Sequence, residues 1–202
     1  MIPSYYECGS CRERFEFGFR EAYYSLGSGS VEGSLLDVDL LCAPVRPGWC
    51  KDCSGVCLVE DIAPLRTFEA AYGAVRQGRS VEYPVATECY ELDTASELVG
   101  MYLRWRMSRK HAARALCCGG PNYIFMDDAQ PLIKHAECDF GFIEPMVWFS
   151  SYCGAGPGVI SPANLRLYTS EGELAGLLTW HRREEGRWDV APAHYPDPAS
   201  DN

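Results

Sequence analysis

The chain reads as an α+β protein: a β-rich N-terminal module, a central helical pair and a small β-rich C-terminal module. Three observations predict this. Short runs near both ends alternate apolar with polar or small residues, the period of half-buried strands. Between about residues 63 and 114 the apolar residues recur instead at helical spacing. Two Cys-x-x-Cys pairs in the first third of the chain supply four ligands suited to cross-linking a small β-module.

In the first segment, residues 1–62, Phe15-Glu16-Phe17-Gly18-Phe19-Arg20 and Leu36-Asp37-Val38-Asp39-Leu40 are the strand candidates. Gly27-Ser28-Gly29-Ser30 and Gly33 mark a turn between them. Phe15, Phe17 and Phe19 share one face of a strand and are expected to roof a small core. In the second segment, residues 63–114, Pro64 stands at a helix start. Phe68, Ala71, Tyr72 and Val75 then repeat at helical spacing until Gly78 ends the pattern. Thr94-Ala95-Ser96-Glu97 has the form of a capping box. Leu98, Val99, Tyr102, Leu103 and Trp105 make the apolar face of the helix it would open. Asp93 and Glu97 at its start, with Arg104, Arg106, Arg109 and Lys110 towards its end, suit the helix dipole.

The third segment, residues 115–190, returns to β-structure. Asn122–Met126, Met146–Phe149 and Leu165–Tyr168 are strand candidates, and Ser170-Glu171-Gly172-Glu173 reads as a turn leading into Leu174–Trp180. Residues 191–202, rich in proline and without apolar period, read as a flexible tail. No repeat at a solenoid period is present.

Composition bounds the function. Of 202 residues, 47% are apolar and 23% charged, the balance of a chain able to bury a core. The net charge of −10 repels phosphate backbones on average and attracts basic partners. The N-terminus lacks the basic residues and apolar run of a secretory signal, and no stretch is long and apolar enough to span a bilayer. A cytoplasmic location and no membrane partner are therefore expected. Eleven cysteines in a reducing compartment point to metal ligation or burial, since disulfides are rare there.

Cys8-Gly9-Ser10-Cys11 and Cys50-Lys51-Asp52-Cys53 are the principal chemical signal. A CxxC pair presents two sulfurs from one tight knuckle, and two knuckles complete a tetrahedron around Zn2+. Gly9 and Gly55 offer backbone freedom for such turns. With no position left open, a Cys8/Cys11/Cys50/Cys53 site would hold the fold rather than activate water. These residues resemble the zinc-ribbon class, two β-hairpins each carrying a CxxC knuckle. The spacer of 38 residues exceeds the usual spacing of about 15–20, so the ribbon is expected to contain an insertion near the Gly- and Ser-rich residues 21–35.

A degenerate second pattern lies downstream, where Cys118-Gly119 precedes His135-Ala136-Glu137-Cys138. Ala115 stands where a complete CxxCG knuckle would have its first cysteine. Cys117, adjacent in sequence, or Cys153 would have to complete a second zinc site with Cys118, His135 and Cys138. The alternative is a ribbon that keeps its shape by packing without metal. One zinc ion is expected and a second has candidate ligands. His135-Ala136-Glu137 also matches half of the zinc deaminase signature, but no P-C-x-x-C follows it.

No phosphate-binding Gly-rich loop, GxSxG elbow or HExxH pair is present. Asp127-Asp128 and Glu184-Glu185 read as solvated surface. His111, His181 and His194 have no spacing that ties them to a nucleophile. No catalytic or cofactor-binding residues can be named, so the sequence favours a binding protein over an enzyme. The leading expectation is a zinc-stabilised acidic module that binds a basic protein. In general character it is similar to bacterial toxin-immunity proteins, which implies an inhibitor covering a basic toxin or effector. The alternative is a zinc-ribbon nucleic-acid adaptor using Arg104, Arg106, Arg109, Lys110, Arg114 and Trp105, against which the acidic balance weighs. A zinc enzyme built on a His135/Cys138 pocket is the third reading.

Overall fold

Two α-helices and twelve β-strands order the computed structural model, which describes residues 5–16, 21–27, 33–126, 133–146, 165–182 and 185–192. The first six strands are β1 (Tyr5–Cys8), β2 (Arg14–Glu16), β3 (Glu21–Ser25), β4 (Gly33–Leu36), β5 (Leu40–Cys50) and β6 (Gly55–Glu60). The helices α1 (Leu65–Arg76) and α2 (Leu92–Ser108) follow. The remaining strands are β7 (Tyr123–Phe125), β8 (Ile133–Lys134), β9 (Phe142–Met146), β10 (Leu165–Tyr168), β11 (Leu174–Arg182) and β12 (Arg187–Ala191). The α+β class is thus observed.

The chain forms two compact units, each drawn from two separate stretches of sequence. One contains Met1–Glu21 and Ala43–Ser151, the other Ala22–Cys42 and Tyr152–Asn202. The units therefore cut across the consecutive segments 1–62, 63–114 and 115–190 expected from the sequence. The Gly- and Ser-rich stretch is not a loose insertion in a ribbon: β3 and β4 lie in it and build the second unit.

In the first unit an antiparallel sheet runs β2-β1-β9-β8. It is two hairpins laid edge to edge, with Cys8 opposite Ile143 and Ile133 opposite the same residue. Tyr6, Met126, Ile133 and Ile143 are buried together, with Phe15 packed on them. Phe17 and Phe19 lie outside the described residues. A second antiparallel set runs β6-β5-β7, with Cys50 opposite both Gly55 and Tyr123. Side chains alternate across a strand, so its two faces serve different cores. Trp49, Val56 and Ile124 pack on the Tyr6 cluster, while Cys50, Cys57 and Val59 face the other way with Tyr123 and Phe125.

The helices follow the apolar spacing. Pro64 occupies the N-cap position of α1, Phe68, Ala71 and Val75 are buried, and Gly78 takes a left-handed φ of 75° just past its end. The start of α2 differs from the expectation. Its N-cap is Glu91, so Thr94 and Glu97 lie inside the helix and form no capping box. Ala95 and Val99 are buried against α1, and burying them on this register starts the helix before Thr94. At the other end Arg109 turns inward. The side chains of Arg109 and Glu60 are both 0% exposed and paired at 2.7 Å, and Arg114 is also buried.

In the second unit the strand order is β4-β12-β11-β10-β3, antiparallel except for the parallel pair β10 and β3. Leu165, Leu167, Leu178 and Val190 fill its core, with Leu35 and Trp188 packed beside them. The strand expected over 36–40 is interrupted by a 3₁₀ turn, Asp37–Asp39, that leaves Val38 exposed. The Asp37 amide donates to the Gly186 carbonyl at 2.8 Å and its carboxylate accepts from the Trp188 indole at 2.7 Å, which together stabilise the turn. Tyr123–Phe125, Leu165–Tyr168 and the Gly172 turn into β11 agree with the sequence reading. Residues 147–149, Asp127-Asp128 and the tail beyond 192 lie outside the described residues. Among the described residues no helix is long and apolar enough to cross a membrane.

Candidate metal centres

Two groups of four nitrogen and sulfur donors come together, and neither is the set read from the sequence. Cys8 and Cys11 meet His135 and Cys138; Cys50 and Cys53 meet Cys117 and Cys118, with the ligand atoms of each group all within 4.8 Å of one another. The structure does not bring Cys8 and Cys11 together with Cys50 and Cys53. Nor does it unite Cys117 and Cys118 with His135 and Cys138. The two CxxC knuckles sit on different hairpins, and each hairpin takes its partner from the downstream pattern. Cys153 lies outside the described residues.

In the first centre Cys8 ends β1 and Cys11 lies in the turn to β2. The turn is closed by the Arg12 amide donating to the Cys8 carbonyl at 3.0 Å and the Cys8 amide to the Glu13 carbonyl at 2.9 Å. His135 follows β8, and Cys138 lies in the turn to β9, its amide bonded to the His135 carbonyl at 3.2 Å. Pairing of β1 with β9 then sets the two turns side by side. Gly141 is where they meet most closely: a Cβ there would collide with the sulfurs of Cys8 and Cys138, so only glycine fits.

The distances suit a tetrahedral ion. Metal–ligand bonds of about 2.3 Å to sulfur and about 2.0–2.1 Å to nitrogen put sulfur and nitrogen about 3.6 Å apart, and two sulfurs about 3.8 Å apart. Cys11 Sγ lies 3.3 Å from His135 Nδ1. The other ring nitrogen, Nε2, lies 3.2 Å from a Glu13 carboxylate oxygen, an arrangement that fixes the tautomer and points Nδ1 at the sulfurs. A hydrogen bond from the Ser10 hydroxyl, then one from the Phe140 amide, lower the Cys138 thiol to about 7. Glu7, held below the usual carboxylate range by hydrogen bonds from Arg12 and Arg14, staples the base of this hairpin.

In the second centre Cys50 ends β5 and Cys53 lies in the turn to β6. Cys117 and Cys118 occupy a turn closed by the Gly119 amide donating to the Ala115 carbonyl at 2.8 Å. Ala115 bridges to Val59, and the Leu116 amide bonds the Leu58 carbonyl at 2.9 Å, which ties this turn to β6. The Asn122 side-chain amide donates to Asp52 at 2.8 Å and the Lys51 amide to the Asn122 carbonyl at 2.8 Å, so the two turns also hold each other directly. Gly119, just past the pair, takes a left-handed φ of +73°. Cys50 and Cys118 sulfurs are 3.6 Å apart, and those of Cys117 and Cys118 are 3.9 Å apart.

Crowding four thiols disfavours their joint ionisation. Hydrogen bonding with the Cys118 and Cys117 thiols pushes the Cys53 thiol far up, and burial does the same to Cys117. A bound divalent cation reverses this balance by deprotonating its thiol ligands outright. Gly9 and Gly55 are not the left-handed residues of these turns. Positive φ falls instead on Arg12 (65°) and Ser54 (51°), each immediately after the second cysteine of its knuckle. Among the described residues ten cysteines are free thiols, and none is in a disulfide.

The structure thus has Cys and His groups positioned to bind metal. Glu13, the carboxylate behind His135, was missed in the sequence because nothing in its spacing marks it. Compared with protein-family models, curated proteins and solved structures, the chain matches none.

Proposed function

We propose that the protein is a zinc-stabilised, acidic protein-binding module carrying two structural zinc ions. The observation that carries this reading is the completeness of both donor groups. Each offers four nitrogen or sulfur ligands, the complement of a closed structural site; catalytic zinc keeps three protein ligands and an open position. On this reading the β1–β2 and β8–β9 hairpins are a zinc ribbon with a Cys3His site. The β5–β6 hairpin with the turn at Cys117 and Cys118 is a second, all-thiolate knuckle pair. Their role is to make a small scaffold rigid.

The partner is a basic protein surface. The net charge of −10 favours it, and one segment concentrates the needed chemistry. Residues 82–93, the connection between the helices and the start of α2, carry Glu82, Glu88, Glu91 and Asp93, all exposed, and no lysine or arginine. Tyr83, Tyr90 and Leu92 stand among them, each about half exposed. Thr87, buried beneath, bonds Val81 through both its amide and its hydroxyl at 2.8 Å, and so anchors the segment. Carboxylates steer a cationic partner and aromatic faces receive its guanidinium groups. An inhibitor covering a basic toxin or effector would use such a surface. The nucleic-acid reading loses support, because Arg109 and Arg114 of the basic run are buried.

The test joins elemental analysis to affinity capture from the native host, with the products of neighbouring genes included as candidates. Expected are two zinc ions per chain and a basic partner retained at roughly 0.1 M salt and released near 1 M, where the Debye length falls from about 10 to about 3 Å. Glu88→Lys with Glu91→Lys should abolish retention and leave the zinc content unchanged. A metal-free native protein, or no protein retained at low salt, overturns the proposal.

A further inference from the structure

The two centres differ in how they present sulfur to small solutes. In the second, Cys118 is exposed and Cys50 is buried. Their sulfurs lie 3.6 Å apart, nearer than the 3.9 Å between the adjacent Cys117 and Cys118. A Cβ at Gly120 would lie 3.2 Å from the Cys118 sulfur, so glycine there leaves that sulfur more open. An accessible sulfur thus has a second one directly behind it, within reach of its neighbour but screened from solution. Oxidation of cysteine follows thiolate character and exposure, and a sulfenic acid beside a second thiol condenses to a disulfide. In the first centre the exposed sulfur, Cys11, instead has the His135 nitrogen at 3.3 Å. One neutral imidazole also replaces a thiolate there, so that ion would carry one negative ligand fewer and its sulfurs would be the weaker nucleophiles.

We propose that Cys118 and Cys50 are a site of oxidative modification, at which a hydroperoxide converts the pair to a disulfide and the second centre gives up its ion while the first keeps its own. The inference rests on the reading that both centres bind zinc. In the first step the Cys118 thiolate attacks one peroxide oxygen. A sulfur–oxygen bond forms, the oxygen–oxygen bond breaks, hydroxide leaves, and Cys118 becomes a sulfenic acid. In the second step the Cys50 thiolate attacks that sulfur. The disulfide forms, the sulfur–oxygen bond breaks, and a second hydroxide leaves. The two sulfurs together lose two electrons, and the peroxide takes them. Cys53 and Cys117 remain as ligands, too few to complete a tetrahedral site, so zinc departs without change of oxidation state. The new bond joins the end of β5 to the turn at Cys117 and Cys118, the two elements the ion joined. The turn also keeps its bonds from Leu116 to Leu58 and from Asn122 to Asp52, so the ion leaves without freeing it. A dithiol reductant reverses the change by thiol–disulfide exchange.

The test adds hydrogen peroxide to the zinc-loaded full-length chain. Released zinc is followed with a chromogenic chelator, and disulfides are mapped by peptide mass spectrometry after the remaining free thiols are alkylated. One of the two zinc ions is expected to leave, with the Cys50–Cys118 cross-linked peptide growing in step with it. Dithiothreitol and added zinc should restore both. Cys8→Ser, which keeps only the second centre, should lose its one ion at the same peroxide dose. Cys50→Ser, which keeps only the first, should retain its ion there. Should either variant fail to fold, the wild-type zinc count and disulfide map decide alone. No release, release without that disulfide, a different cysteine pair as the main product, or equal loss from Cys50→Ser overturns the proposal. A content below two zinc ions before peroxide is added overturns the metal reading beneath it instead.

Discussion

Replacing Glu60 by glutamine tests whether the basic end of α2 is an internal brace. The Glu60 carboxylate accepts from both terminal guanidinium nitrogens of Arg109, at 3.0 and 2.7 Å, and from the Arg114 amide at 3.1 Å. Both side chains are 0% exposed. Glutamine preserves the size but offers one oxygen, and its NH2 group confronts a donor. Arg109, still charged and buried, then loses the Glu60 carboxylate as counter-ion. Breaking a buried pair in this way costs about 3–5 kcal/mol, about a fifth or more of the roughly 5–15 kcal/mol that holds a typical domain folded. With a urea m-value of about 1–3 kcal/mol/M, a loss of about 4 kcal/mol lowers the midpoint by roughly 1.3–4 M. The assay is urea unfolding followed by circular dichroism in zinc-containing buffer. A Glu60→Leu/Arg109→Met double variant removes both charges and should recover part of the loss, the Arg114 amide still lacking its acceptor. A Glu60→Gln midpoint within roughly 0.3 M of wild type, less than about 1 kcal/mol at these slopes, would refute the reasoning.

The remaining predictions concern the metal hairpins. Cys8→Ser and Cys50→Ser should each remove one zinc and leave the other, as measured by elemental analysis; loss of all metal from either variant would restore the single shared site. Glu13→Gln should weaken the first centre alone by about 10–100-fold in chelator competition, the usual effect of losing the group behind a metal-bound histidine. Ser54→Gly should raise stability by about 0.5–1 kcal/mol. It relieves a left-handed residue that costs about 1–2 kcal/mol, less the chain entropy that glycine loses on folding, and a lowered unfolding midpoint would contradict this. Glu7 has a lowered folded pKa, so its stabilisation is complete above the ordinary value of 4.5 and is lost as pH falls through the folded value. The midpoint difference between wild type and Glu7→Gln should accordingly shrink on acidification below that value, and a difference that grows would be evidence against the Arg12 and Arg14 staple.

The ligands were legible in the sequence, but their partnership was not. Each CxxC announces a local turn, and the spacing of two sulfurs within a knuckle is a local property. Which knuckle meets which is set by strand pairing, β1 with β9 and β5 with β7, and composition carries no trace of that register. The long spacer after Cys11 was the available hint. It was read as an insertion within one ribbon, whereas it holds strands of another unit. The helices were readable because their apolar spacing is a property of the segment itself. The start of α2 was misplaced because burial of Ala95 and Val99 against α1 overrode a local capping motif.

Separation along the chain has a consequence for synthesis. Cys11 meets His135 only after 124 further residues, and Cys50 meets Cys118 after 68. At about 5–20 residues per second, the earlier thiols spend roughly 6–25 s and 3–14 s on the nascent chain before their partners are made. Translation therefore completes the second-numbered centre first, while Cys8 and Cys11 wait as an unmatched pair outside the ribosome. During that interval any thiophilic ion or oxidant in the cell has access to them.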